Sequence, residues 1–495
     1  MLSLIIVLPL AAAAVLAGLP RLKDSAARTV FAATAGVETV LAVGLWAGYR
    51  APGPGGLAYE ERLRWIPNVG SSYHLGVDGL SLPLLVLTTV IFLACAVYDW
   101  KSRDRVRARS ALFLFLETTC LGLFAAQDLI LFFLFFDLSI VAMYFVIAGW
   151  GHGDRARSAM KFFLYTFLGS LALLVGFIGL YLGADPHTFD IPELAAANAF
   201  RGNPAGGFVL AAILLGLAVK TPTVPFHTWL PPAHTDAPAT GSAVLAGILL
   251  KMGTYGFVRI AMPLLPDAWR AWSPAILTVG ILSVLYGALV ALAQSDLKRM
   301  IAYTSVNHMG YILIALGAAG AATGAGSTVR ATAVTGAVTQ MVSHGLITGA
   351  LFLLAGVLQA RAKTYDMGAF GGLATPAPKF AGFFAVAAFA SLGLPAFSGF
   401  IAEFQIFAGS IGAVPLTAIA LPGIVITAAL FLRALQRIFT GPVKGRAEGF
   451  TDLRPAEMLS AGSLLVLSAV VGVFPAPLLA AITPAADAIV SLVRR

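Results

Sequence analysis

Residues Gly241–Ile260 read G-S-A-V-L-A-G-I-L-L-K-M-G-T-Y-G-F-V-R-I. As a helix rising 1.5 Å per residue, twenty positions span about 30 Å, the thickness of a bilayer's hydrocarbon core. Only two of these positions carry charge. Arg259 lies within a turn or so of the end of its span and can snorkel to the headgroups. Lys251 lies about 20 Å along the helix that starts near Pro238, around the middle of the membrane. The block predicts a transmembrane helix with a lysine buried at its centre.

Similar apolar blocks recur along the whole chain. Of its 495 residues, 59% are hydrophobic and only 11% charged, against about 25% charged in a soluble protein. Too little polar surface exists to cover a water-facing globule, which excludes a soluble enzyme, a nucleic-acid binder and a disordered chain. The net charge of +9 marks basic connecting loops in a membrane protein. The fold class expected is an all-α polytopic membrane protein with about 14 transmembrane helices. Most Lys and Arg fall in the odd-numbered connections, with K-S-R-D-R-V-R-A-R (Lys101–Arg109) the strongest cluster. By the positive-inside rule those connections face the cytoplasm and both termini face outside, as for a multi-pass protein of a bacterial inner (plasma) membrane. Cys95 and Cys120 both lie in apolar blocks. Two thiols are too few for an iron–sulfur cluster, which needs four ligands, so no redox centre is expected on this chain.

Several charges nevertheless fall inside the predicted spans: Glu38, Glu117, Asp137, Lys220, Lys251 and Glu403, accompanied by His308 and His344. A charge at mid-membrane costs at least about 2.5–3.5 kcal/mol on insertion scales. One such residue could belong to a static ion pair. So many together predict a connected polar axis for protons or ions, with peripheral Glu38 the member most suited to a purely structural role.

Two of these residues border helix breaks. Lys220 lies in L-A-V-K-T-P-T-V-P-F-H-T-W-L (Leu217–Leu230), and Glu403 follows S-L-G-L-P-A-F-S-G-F (Ser391–Phe400). Proline and glycine interrupt spans 7 and 12 there, leaving backbone groups that only protein or a wet cavity can satisfy. If spans 4–8 and 9–13 form two five-helix units, each break falls in the fourth helix of its unit. An odd-length unit repeated in tandem is inverted, a pattern that transporters use around midplane sites. The expected organisation is residues 1–108 with three helices, 109–262 and 272–437 as two inverted five-helix repeats, and 438–495 with a final transmembrane helix and C-terminal segment.

At these positions the chain resembles the antiporter-like membrane subunits of respiratory complex I, NADH:quinone oxidoreductase. The resemblance rests on G-V-D-G-L-S-L-P-L (Gly76–Leu84), A-V-K-T-P-T-V-P-F-H-T-W-L-P-P-A-H-T-D-A-P (Ala218–Pro238), G-S-A-V-L-A-G-I-L-L-K (Gly241–Lys251) and A-Y-T-S-V-N-H-M-G (Ala302–Gly310). It extends through S-H-G-L-I-T-G-A-L-F-L-L-A-G (Ser343–Gly356) and L-P-A-F-S-G-F-I-A-E-F (Leu394–Phe404), covering about Gly76 to Gly441. It implies a proton path in which Asp137 is the gating acid, Lys220 its partner and Lys251 the central lysine. His308 and His344 match relay positions and Glu403 the terminal carboxylate. Most members carry lysine in span 12, so Glu403 singles out one branch and counts against the alternative, a subunit of a multi-subunit Na⁺/H⁺ antiporter. The family usually has glutamate in span 5; Asp137 is one methylene shorter, so it either sits closer to Lys220 or is bridged to it by water. Flavin, iron–sulfur clusters and quinone are implied in partner subunits, among them neighbouring antiporter-like subunits, and none on this chain.

Other features are weaker. His227 and His234 lack a third ligand for zinc and read better as capping or loop hydrogen-bonding groups. Asp78 suits the start of span 3 as a cap. Glu117 either joins the polar axis or pairs structurally, a secondary candidate. No phosphate-binding loop, nucleotide fingerprint or Ser–His–Asp arrangement stands out.

Overall fold

The computed structural model describes residues 1–19, 21–53 and 55–494; Arg495, the end of the last expected segment, lies outside them. Two helices open the chain, α1 (Leu2–Gly18) and α2 (Asp24–Gly48). An antiparallel hairpin follows, β1 (Ala58–Ile66) with β2 (Ser71–Val77). Then come α3 (Leu82–Tyr98), α4 (Val106–Ala125), α5 (Leu129–Trp150), α6 (Arg155–Gly183) and the short α7 (Ile191–Ala197). Next are α8 (Ala205–Lys220), α9 (Leu230–Asp236), α10 (Ala239–Leu264) and α11 (Pro266–Ala293). The remainder is α12 (Leu297–Gly320), α13 (Ser327–Ala362), α14 (Pro378–Ser391), α15 (Ser398–Ala413), α16 (Pro422–Phe439), α17 (Pro455–Val473) and α18 (Ala476–Arg494). Among the described residues, 11 helices are long and apolar enough to cross a membrane.

Both interruptions written in the sequence are present. α8 stops at Lys220 and the chain resumes helix only at Leu230; α14 stops at Ser391 and α15 starts at Ser398. At the second break Gly393 has φ +73°, a left-handed conformation that glycine adopts without penalty.

α10 and α13 form the centre: in each, every residue of an apolar 18-residue window is buried. They meet at paired glycines. A Cβ on Gly345 would stand 3.0 Å from the Gly247 carbonyl oxygen, so only small residues permit this approach. α10 is also irregular, with π-helical turns at Leu245–Leu249 and Phe257–Ala261 on either side of Lys251. Such bulges occur often at functional sites.

Two helix starts are built alike on opposite faces of the bundle. Asp128 caps α5, accepting from Ile130 and Leu131 N–H, and Asp296 caps α12, accepting from Arg299 N–H. Beside the first, Leu129 N–H donates to the Phe189 carbonyl and Ile191 N–H to that of Gln127; beside the second, Leu297 donates to Tyr365 and Met367 to Ser295. Thus Asp128 bridges Asp190 and Asp296 bridges Asp366 in the same antiparallel manner.

Two features depart from the hydropathy reading. The connection after α2 folds as the β1–β2 hairpin, locked to α5 by Ser71 and Ser72 donating to Asp128. The C-terminal segment after Pro475 is the helix α18, one of the helices long and apolar enough to cross a membrane. It packs across the hairpin face, where Gly79 sits against the Ala481 carbonyl at a distance that leaves no room for a Cβ.

Candidate functional site

Lys251, at the middle of α10, is fully buried. Its Nζ donates to the Ala246 carbonyl, which the first π-turn exposes, and sits 2.6 Å from Nδ1 of His344 on α13. The His344 ring meets that of His308 on α12 edge-on, with centroids 5.4 Å apart. His308 Nε2 in turn lies 3.8 Å from Glu403 Oε1 on α15. Four of the six expected path residues therefore form one contact chain, Lys251–His344–His308–Glu403. Gly393, at the α14–α15 break, covers its end: a Cβ there would stand 2.7 Å from Glu403 Oε2.

The chain is lined by polar atoms that have no hydrogen-bond partner among the described residues: His308 Nδ1, His344 Nε2, Gln340 Oε1 and Ser391 Oγ. A cavity of about 10 Å³ lies among these side chains and Glu403, the size at which one water fits. Leaving a buried donor or acceptor unmade costs about 1–3 kcal/mol, so the cluster is suited to being wetted.

The other two residues, Asp137 and Lys220, are near but not joined. Lys220 is buried, donates to Ser139 Oγ at 3.2 Å and lies 4.7 Å from the centre of the Phe136 ring. No ion pair within 4.0 Å joins it to Asp137 among the described residues, although each lies in the other's electrostatic reach. Among the described residues Asp137 Oδ1 has no hydrogen-bond partner, while the carboxylate is reached by the Ser170 side chain. Of the two arrangements the shorter side chain allows, close approach is not the one observed. From Lys220 the break leads toward Lys251: the Thr221 N–H lies 2.9 Å from where a Cβ on Gly253 would stand.

Glu117 is fully buried on α4, apart from this chain, and both of its oxygens lack partners. Its charged neighbour is Glu38 on α2, equally buried and unpartnered. Among the described residues Glu38 joins no ion pair. Arg259 also departs from expectation. It does not snorkel: only 8% exposed, it pairs with Asp78. Asp78 is not the cap of α3, which is Ser81; it accepts from Leu80 and Ser81 N–H in the turn just before that helix.

Two further buried groups escape a sequence reading. His234 on α9 is fully buried, stacks on Phe352 and lies within electrostatic reach of Lys251. Lys298, at the first turn of α12, is also fully buried and donates to the Ala237 carbonyl. Lys298 reads as a loop charge because it adjoins Arg299, and His234 as a loop residue because it follows two prolines. In the nearby α5–α6 connection, burial and the charge of Lys298 push His152 down to about 4, leaving it neutral at physiological pH. Among the described residues no group of three or more His, Cys, Asp or Glu could hold a metal; His227 packs edge-on against Tyr286.

The family described as "NADH:quinone oxidoreductase/Mrp antiporter, TM" matches residues 126–430. NADH-quinone oxidoreductase subunit M of Rickettsia prowazekii is 37% identical over 420 residues, 84% of this chain and 83% of its own length. The subunit M of Rhodobacter capsulatus is 37% identical over 490 residues, 96% of this chain and 93% of its own. In solved structures, a chain of respiratory complex I from Thermus thermophilus with bound NADH superposes with a TM-score of 0.88 at 31% identity, each chain covered in full.

Proposed function

Because this chain belongs to the NADH:quinone oxidoreductase/Mrp antiporter family of membrane subunits, we propose that its buried axis carries protons across the membrane in the order Asp137/Lys220, Lys251, His344, His308, Glu403. The chain is a proton-translocating membrane subunit of NADH:quinone oxidoreductase, working with the other subunits of that complex. The observation that carries the path is the contact sequence from Lys251 to Glu403.

The chemistry needed is proton transfer alone. At an effective dielectric near 20, opposite charges attract by about 4 kcal/mol at 4 Å and about 2 kcal/mol at 8 Å. Approach or withdrawal of Asp137 therefore changes the hold on the Lys220 proton by about 2 kcal/mol. This matches the roughly 2.3 kcal/mol needed to move one charge against 100 mV. With Asp137 withdrawn, the Lys220 ammonium gives its proton to a neutral Lys251 amine. From there it passes by water and the two imidazoles to the Glu403 carboxylate. Lysine suits both posts because its proton can be released in a buried site, whereas a guanidinium keeps its own.

In this reading residues 109–262 and 272–437 are two units inverted in the membrane, flanked by residues 1–108 and 438–495. The matched Asp128–Asp190 and Asp296–Asp366 bridges on opposite faces support that inversion. The face with the hairpin and α18 is the outer one and both termini lie there, in a bacterial inner membrane. Electron transfer occurs in partner subunits holding the flavin, iron–sulfur clusters and quinone.

The test is reconstitution of the complex purified from its native membrane. NADH oxidation with quinone should acidify one compartment and stop with either substrate withheld. A pH gradient driven by sodium without redox turnover would instead favour cation/proton exchange.

A further inference from the structure

Lys251, Tyr255 and Arg259 follow one another at four-residue intervals and share one face of α10. Eight residues at 1.5 Å carry this face about 12 Å from the central lysine toward the hairpin side. There Arg259 Nη2 donates to Asp78 Oδ1 at 2.5 Å and Nε to the Tyr255 hydroxyl at 2.9 Å. Tyr255 donates its own proton to the Phe124 carbonyl at 3.2 Å. Asp78 is fixed by the Leu80 and Ser81 N–H groups, and Arg259 sits within the second π-helical turn. Arg259 and Asp78 are buried to within 9%.

Beyond the pair lies a cavity of about 100 Å³, large enough for several waters. Tyr49, Asp78, Gln127 and Arg259 give it a polar wall, and Ala488 and Leu492 of α18 also line it. Neither Tyr255 nor Lys251 lines it. The Arg259–Asp78 pair is therefore the last polar element between this cavity and the axis.

Proton hopping requires each group in a chain to accept one proton and release another. A guanidinium has no acceptor and keeps its protons throughout the physiological range. The Tyr255 proton points to a backbone carbonyl, which cannot pass it on. The hydrogen-bonded line from α10 to the cavity thus stops at Arg259.

We propose that the Arg259–Asp78 pair is a proton-tight plug closing the Lys251 axis toward the outer face, and that the cavity beyond it is the outer aqueous vestibule. This rests on the reading that the axis carries protons and that the hairpin face is outward.

The test is passive proton flux through the assembled complex in proteoliposomes, measured without NADH after an imposed pH step under a valinomycin/K⁺ clamp. Arg259→Gln should raise this flux about fivefold or more, and NADH oxidation should lose its stimulation by uncoupler. Asp78→Asn, which keeps the shape but loosens the arginine, should raise the flux less. Lys220→Ala serves as contrast: it should lose pumping without gaining leak. Ala488→Cys should react from the outer side with a membrane-impermeant maleimide. Native flux in assembled Arg259→Gln, absence of Ala488→Cys labelling, or failure of both plug variants to assemble would each overturn the proposal. Absence of NADH-driven acidification by the native complex would instead defeat the functional reading, because the leak assay needs no turnover.

Discussion

Lys220 and Glu403 each stand beside the break of an interrupted helix, and their surroundings differ in one respect. Glu403 is the end of a contact chain: His308 lies 3.8 Å away and Gly393 is packed over its carboxylate. Lys220 has no such neighbour. It donates to a serine while its carboxylate, Asp137, stays out of ion-pair range. A group already in contact can pass a proton but has little to gain from movement. A charge whose partner is several ångströms away gains or loses about 2 kcal/mol as the gap changes. In the proposed path the two sites thus suit different tasks, a switch at Lys220 and a wire ending at Glu403.

The largest effect is expected where switch and wire meet. Lys251→Ala should lower NADH-driven proton uptake at least tenfold in the assembled complex, read by a pH-sensitive dye in proteoliposomes. Near-native uptake would mean that the two halves do not communicate through α10. Next in size, Gly393→Ala forces a side chain into the left-handed region, at about 1–2 kcal/mol, and drives a methyl toward the Glu403 carboxylate. Pumping should fall several-fold, with the thermal unfolding midpoint lowered. A normal proton yield in this variant would show that the end of the wire tolerates displacement.

Smaller still is the effect of lengthening the switch. Asp137→Glu adds the methylene that the family resemblance leads one to expect and brings the carboxylate nearer Lys220. Proton yield should change less than twofold, while pumping against a high membrane potential should improve. Loss of pumping would place Asp137 outside the switch.

The smallest effect concerns the hairpin-side scaffold that holds the start of α5, the helix carrying Asp137. Burial opposes a charge on His74, but hydrogen bonds and charges from Asp190 and then Glu60 outweigh it and raise the imidazole above its ordinary value. A raised pKa gives stabilisation that is complete below the unfolded value of about 6.5 and is lost as pH rises through the folded value. Hydrogen-exchange protection of β2 and the α5 start should therefore fall as pH rises across that upper range. His74→Gln should make it insensitive to pH.

Much of this was legible in the sequence because lipid makes charge expensive. Asp137, Lys220, Lys251 and Glu403 stand out by depth alone, and proline and glycine mark both breaks. What was hidden depends on distance between helices. Asp137 and Lys220 belong together by resemblance, but no spacing rule says whether they touch. Lys298 and His234 were masked by position: one adjoins a loop arginine, the other follows prolines, and folding buries both. Arg259 was misread as a snorkelling residue because its partner, Asp78, is 181 positions away. The hairpin escaped because hydropathy over helical windows is blind to two short strands. Glu38 and Glu117 remain a buried, unpartnered acid pair that the path does not use.

The most direct measurement is the proton-per-electron ratio of the complex carrying Lys220→Ala, with assembly and NADH:quinone turnover verified in the same preparation. A clear fall in that ratio is expected while electron transfer continues. An unchanged ratio would contradict proton transfer through Lys220, leaving the buried lysines and histidines as structural parts of the membrane domain.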